Sequence, residues 1–174
     1  MERLIQGVLL HVSDDGGISN NTVGKLCSQI CSRRFQGVFS ADKIPVRKLR
    51  RLGDFVVVVN LGRSTNVRGH FVTLSKRSKD DYIEYMDSFA LPCFQPEVVS
   101  FVEACSGGDG KAKCLITKRV QAVSSVACGL YATLFAAYKD REEEMDFDLR
   151  FSTTDLDRND DRCLDYLRRI VNDM

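Results

Sequence analysis

The chain has 174 residues, 44% of them hydrophobic, enough for one domain with a proper core that needs no disulfides. Lys and Arg total 25 against 24 Asp and Glu, and the resulting net charge of +1 gives no overall field to hold the protein on nucleic acid or an anionic membrane. No run of about 20 apolar residues exists to span a bilayer, and the start Met1-Glu2-Arg3-Leu4 lacks a secretory signal, so a soluble intracellular protein is expected. Its seven cysteines then read as thiols in a reducing compartment. Structural zinc is disfavoured: Cys27 and Cys31 share a helix face, but there is no C-x-x-C pair and the only histidines are His11 and His70.

Leu4 to Val12 is predicted as a strand, closed by the turn Asp14-Asp15-Gly16-Gly17. Ser19 to Thr22 offer N-caps for a helix with Val23, Leu26 and Ile30 on one face, running to about Phe35. Phe55 to Leu61, with four consecutive valines, suits a strand buried on both faces. Gly69 to Ser75 and Asp81 to Asp87 form a hairpin about Lys76 to Asp80, and antiparallel pairing sets residue 70 across from positions 86 to 88.

Pro96 to Cys105 is predicted helical, Ser106 to Gly110 a loop, and Lys113 to Val120 a strand delivering Gln121. Cys128 to Tyr138 is the central helix, Lys139 to Glu144 a solvated connector, and Asp157 to Val171 an amphipathic helix with Cys163, Leu164, Leu167, Ile170 and Val171 inward. With no repeat, low-complexity tract or linker, residues 1–174 are expected to form a single α+β domain.

Cys128 stands where a polar loop gives way to a helical pattern. At a helix start the unpaired N–H groups and the macrodipole favour the thiolate, so it is the leading nucleophile candidate. His70 and Asp87, brought together by the hairpin, suit a base and its orienter. Glu84 is the rival carboxylate but lies on the opposite strand face, and His11 is the rival imidazole. Gly129 is expected to keep the nucleophile's flank free of a side chain for close substrate approach.

The order His70, Asp87, Gln121, Cys128 resembles that of the adenovirus-type maturation proteases, the adenain family, and more distantly the SUMO-specific proteases. The likeness is carried by Gly69 to Leu74, by Tyr82 to Pro92, and by Gln121 to Tyr131, where a glutamine precedes Ala-Cys-Gly by seven residues. Phe35 to Pro45 also looks like the segment preceding the first core strand of such proteases, so the resemblance covers most of residues 35–139. Phe71 stands where the family usually has tryptophan, and Ala122-Val123 replaces a common Gly-Pro-Asn run, the pattern of a distant relative.

The resemblance implies a papain-like, adenain-type fold, a central mixed sheet packed against helices with Cys128 at the start of the central helix. It implies a cysteine endopeptidase processing viral precursor and capsid or core proteins during virion maturation, in the host nucleus or cytoplasm and in the virion, with glycine preferred near the scissile bond. In it Gln121 would offer its amide beside the Cys128 N–H to the oxyanion. No cofactor is required by this chemistry. Family activation by DNA or a short peptide points to Arg47, Lys48, Arg50 and Arg51 for DNA, a run that otherwise reads as a solvated basic loop, and to Cys114 for a peptide. The competing readings are a deSUMOylating or deubiquitinating isopeptidase and a non-catalytic virion protein that keeps the fold.

Overall fold

The computed structural model describes residues 18–65, 69–106, 111–142 and 150–173. The expected strand Leu4 to Val12, its turn, His11, most of the loop at 107–110 and the end of the connector at 143–144 lie outside the described residues.

The four-valine run forms β2 (Phe55–Asn60), every residue of which is buried. Phe55, Val57 and Val59 project into one core and Val56 and Val58 into another, as the two-residue period of a strand requires. On one side lies β1 (Phe35–Ser40), parallel to it. On the other lie β3 (Phe71–Lys76) and β4 (Ile83–Met86), each antiparallel to its neighbour, and then β5 (Ala112–Cys114), parallel to β4. The five-stranded mixed sheet thus runs in sequence order, and it has helices on both faces, as the expected architecture requires.

Phe35 to Ser40, expected only to precede the first core strand, is itself a strand. Parallel pairing needs a crossover, supplied by a 3₁₀ turn (Ala41–Lys43) and α2 (Val46–Leu52). The basic run expected as a loop is therefore helical: Leu49 is buried while Arg47, Lys48, Arg50 and Arg51 are exposed, the last two beside the helix C-terminus that favours cations. The expected strand Lys113 to Val120 is reduced to three residues, because its partner β4 ends at Met86. Past Leu115, whose N–H reaches the Tyr85 carbonyl at 3.0 Å, the chain runs as a loop.

One face carries α4 (Cys128–Asp140), flanked by α1 (Asn20–Ile30) and α5 (Asn159–Asn172). The other carries α2 and α3 (Pro96–Cys105). Ser19 caps α1, its hydroxyl accepting from the Thr22 N–H at 3.2 Å. Apolar almost all round, α4 is buried from Gly129 to Tyr138, as an interior helix must be.

α1 stops at Ile30 instead of reaching Phe35 because a remote carboxylate takes over the backbone donors. Asp140, at the end of α4, accepts from the N–H groups of Ser32, Arg34 and Phe35 at 2.5, 2.7 and 2.8 Å and from the Ser32 hydroxyl at 3.0 Å. This clasp holds the start of β1 to the end of α4. Asp140→Ala strands the buried Arg34 N–H and frees the half-buried Phe35 N–H, so it should lower the unfolding free energy by about 2 kcal/mol in urea titration. Asp140→Asn keeps an acceptor and should lose less.

Candidate active site

His70 immediately precedes β3 and Asp87 immediately follows β4, so the antiparallel pairing brings their side chains together at one end of the sheet. Thr73 pairs with Met86 and Ser75 with Glu84, a register that extrapolates residue 70 to position 89 rather than to 86–88. The contact nonetheless forms, diagonally: His70 Nε2 lies 2.8 Å from Asp87 Oδ1. Phe89, at the register position itself, stacks on the imidazole with ring centroids 4.9 Å apart.

Asp87 is 2% exposed and is held by the Phe89 N–H at 2.7 Å and the Tyr85 hydroxyl at 3.3 Å. Burial, with Asp87 beside it, pushes the Tyr85 phenol up, so it remains a proton donor to that carboxylate. Glu84 faces the other way, toward the Ser75 hydroxyl at 2.7 Å and Lys139 Nζ at 2.9 Å. Gly69, just before His70, lies tight against the segment after β2: a Cβ there would fall 1.9 Å from Asn60 Oδ1 and 2.9 Å from the Gly62 nitrogen, so a side chain would force that segment to shift.

Cys128 opens α4, half-buried, at a helix start that no side chain caps. Its thiol lies near His70 and acts together with Asp87 to favour the charged imidazole, while Nε2 of the ring is engaged by Asp87. Burial opposes charge on the imidazole, yet the hydrogen bonds to Asp87 and Cys128 and the Coulomb pull of both outweigh it. The His70 pKa is raised from the ordinary 6.5 to about 9. Among the other thiols, the Cys27 hydrogen bond and burial push Cys31 up, and burial raises Cys105, Cys163 and Cys93, the last to about 11. Cys114 is exposed on β5, at the edge of the sheet.

Gln121 has no exposed surface. Its Oε1 accepts from the Ser88 hydroxyl at 2.6 Å, and its amide nitrogen donates to the Ser125 carbonyl and hydroxyl at 3.0 and 3.1 Å. The amide therefore sits inside the loop that leads to Cys128 and is engaged there. The N–H groups of Val120 and Gln121 both reach the Ser88 carbonyl, at 3.0 and 3.1 Å. On the opposite side Asn159 Nδ2, from α5, donates to the Val120 carbonyl at 2.7 Å.

Ser88, Ser125 and Asn159 are the residues that sequence reasoning misses here, since each acts through a partner remote in the chain or through main-chain atoms. Gly129 corrects an expectation. It does not face a substrate path: a Cβ there would meet Val23 Cγ2 at 3.0 Å and Ile18 Cβ at 3.4 Å, so it permits α4 to approach α1. No group of three or more His, Cys, Asp and Glu side chains suited to a metal occurs among the described residues, and none of their helices is long and apolar enough to cross a membrane.

Since the folded pKa of His70 lies above its unfolded value, the pairing's contribution to stability is full below about pH 6.5 and is lost as the pH rises through about 9. Imidazole resonances followed by NMR should titrate near 9 in the wild type. In Asp87→Asn the burial remains and the compensating charge is gone, so the midpoint should move down, and the wild type's Tm advantage over that variant should shrink between pH 6.5 and 9.

No protein-family model matches the chain, and no curated relative matches it. Solved structures do. A protease of ASFV superposes with a TM-score of 0.51 at 13% identity, over 79% of this chain and 60% of that one, so the chain spans less than two thirds of that protein's length. AvrA, solved with IP6 and CoA, superposes with a TM-score of 0.50 at 14% identity, over 97% of this chain and 79% of the other. The C-terminal Ulp1 protease domain in complex with the yeast ortholog of SUMO gives 0.46 at 15% identity, over 88% and 76%. At these identities the likeness is one of architecture: the chain shares the fold of the ASFV protease and of AvrA, a mixed sheet with helices on both faces.

Proposed function

We propose that the chain is a cysteine endopeptidase that processes viral precursor proteins during particle maturation. The observation that carries this reading is the succession of contacts from Asp87 to His70 to Cys128, a carboxylate, an imidazole and a helix-start thiol. The architecture shared with an ASFV protease and the residue order resembling adenain support the viral assignment.

In this mechanism Cys128 Sγ adds to the scissile carbonyl carbon and the π pair moves to oxygen. The Cys128 N–H, which has no partner within its own helix, and the Gln121 amide, exchanged from Ser125, receive the negative charge. His70, held protonated at neutral pH, gives its proton to the leaving amine as the C–N bond breaks; it then takes one from the water that hydrolyses the acyl-enzyme. Asp87 fixes the ring through Nε2.

The exposed large apolar side chains Leu91, Phe94, Val123 and Val126 lie on the two loops that carry the site, and a polypeptide substrate would lie across them. The preference for glycine beside the scissile bond rests on the family resemblance, because Gly129 is committed to helix packing. DNA would meet the chain on α2, where Arg47, Lys48, Arg50 and Arg51 are exposed, and an activating peptide would meet it at Cys114 on the edge strand.

Cys128→Ala should abolish cleavage with little change in Tm, and His70→Ala should cost nearly as much, at least about 1,000-fold in kcat, while Asp87→Asn keeps a measurable remainder. Iodoacetamide at mildly acidic pH should label Cys128 ahead of exposed Cys114 in a peptide digest. First labelling at Cys114 would move the nucleophile assignment away from Cys128.

On a peptide library, substrates with glycine flanking the scissile bond should be cut at least about 100-fold faster in kcat/KM than their valine counterparts, because a β-branched side chain blocks near-attack geometry. Equal cutting refutes the glycine preference. Efficient cutting of SUMO or ubiquitin fusions alone would replace the endopeptidase reading by the isopeptidase one. Transfer to an amine from an acetyl thioester, with no peptide cleavage, would replace both.

A further inference from the structure

We infer that Ser88 is a positioning residue for oxyanion stabilisation, its hydroxyl deciding which end of the Gln121 side chain faces the nucleophile loop. This rests on the reading of Gln121 as oxyanion donor and names what makes that donor competent. A primary amide has two ends of nearly equal shape and opposite character, an NH₂ that stabilises an oxyanion and a carbonyl oxygen that repels one. The last torsion of a glutamine is broad and two-fold, so nothing within the residue chooses between them.

Ser88 makes the choice. Its hydroxyl donates to Gln121 Oε1 at 2.6 Å, with both residues at most 1% exposed, so water cannot replace the contact. Its carbonyl meanwhile accepts from the N–H groups of Val120 and Gln121 at 3.0 and 3.1 Å. One residue thus fixes the backbone of Gln121 and the sense of its amide, leaving the NH₂ end toward Ser125 in the loop that ends at Cys128. Ser88 also directly follows Asp87, which binds His70, so one dipeptide sets both the imidazole and the oxyanion donor. When substrate arrives, the NH₂ exchanges the neutral oxygens of Ser125 for a charged one, the stronger acceptor.

The test compares two reagents at Cys128 in the full chain. Iodoacetamide forms a C–S bond as iodide leaves, with no oxyanion. A peptide aldehyde ending in glycinal instead takes the thiolate Sγ at its carbonyl carbon, its π pair moves to oxygen, the proton stays on His70, and the oxygen requires donors. Ser88→Ala should keep the alkylation rate within about twofold while binding the aldehyde at least about tenfold more weakly. Combined with Gln121→Ala it should be no weaker than Gln121→Ala alone, since the hydroxyl acts only through that amide. Ser88→Thr restores a hydroxyl and should recover most of the affinity.

Wild-type aldehyde affinity in Ser88→Ala, or a loss that adds to that of Gln121→Ala, overturns the role of Ser88 and leaves Gln121 standing. An equal fall with both reagents means that the serine is structural, and also overturns it. If Gln121→Ala binds the aldehyde normally, the oxyanion reading of Gln121 fails and takes this one with it. If neither reagent modifies Cys128 in the wild type, the fault lies with the nucleophile assignment, and the inference falls with that.

Discussion

The site depends on the axial position of one helix. α4 is buried almost throughout, and its first residue is the half-buried thiol. Its position is fixed at three points. At the start Gly129 lies against Ile18 and Val23, in the middle the Thr73 hydroxyl donates to the Ala132 carbonyl at 2.8 Å, and at the end Asp140 grips residues 32–35. A slip of one residue would turn the helix by about 100° and carry Sγ away from His70. Residues remote from the site therefore set its geometry, and the glycine beside Cys128 serves helix packing.

The electrostatics follow from where that helix begins. Burial alone would lower the His70 pKa, and Asp87 and Cys128 together reverse the sign. The nearby Glu84 is kept out of this balance by Lys139 and Ser75, which also hold its pKa below the usual carboxylate range, although burial works the other way. The imidazole thus answers to one carboxylate and one thiol. Burial raises Cys93, Cys105 and Cys163, which disfavours the thiolate at those three positions.

Much of this was legible in the residues themselves. Four valines in a row leave a strand no exposed face, a charged turn between two apolar runs makes a hairpin, and a helix apolar on all sides must be central. The chemistry was legible because the residue types are scarce: with two histidines, one lies in a hairpin that ends at an aspartate. Other features were hidden for physical reasons. Nothing local shows that Asp140 ends α1, because the carboxylate lies more than a hundred residues away. α2 was masked by its charge, with Leu49 its one buried residue. β5 was overextended because a strand lasts only as long as its partner, and β4 has four residues.

The last element of the chain is least explained by sequence and is physically tied to the site. Asn159 is fully buried at the start of α5. It donates to the carbonyls of Val120 and Ser152, both at 2.7 Å, and accepts from the Ser152 N–H at 2.9 Å. Tyr131, from α4, donates its hydroxyl to Asp160 at 2.9 Å. α5 is thereby bonded at once to the helix that opens at Cys128 and to the residue before Gln121. Buried amides fully engaged in this way act as rigid spacers, because breaking any one bond leaves a polar group without water. With the Ser88 carbonyl holding the Gln121 N–H and Asn159 holding the Val120 carbonyl, the peptide unit entering Gln121 is gripped on both sides. What stays adjustable is then the Gln121 amide's contact with Ser125, within the loop that ends at Cys128.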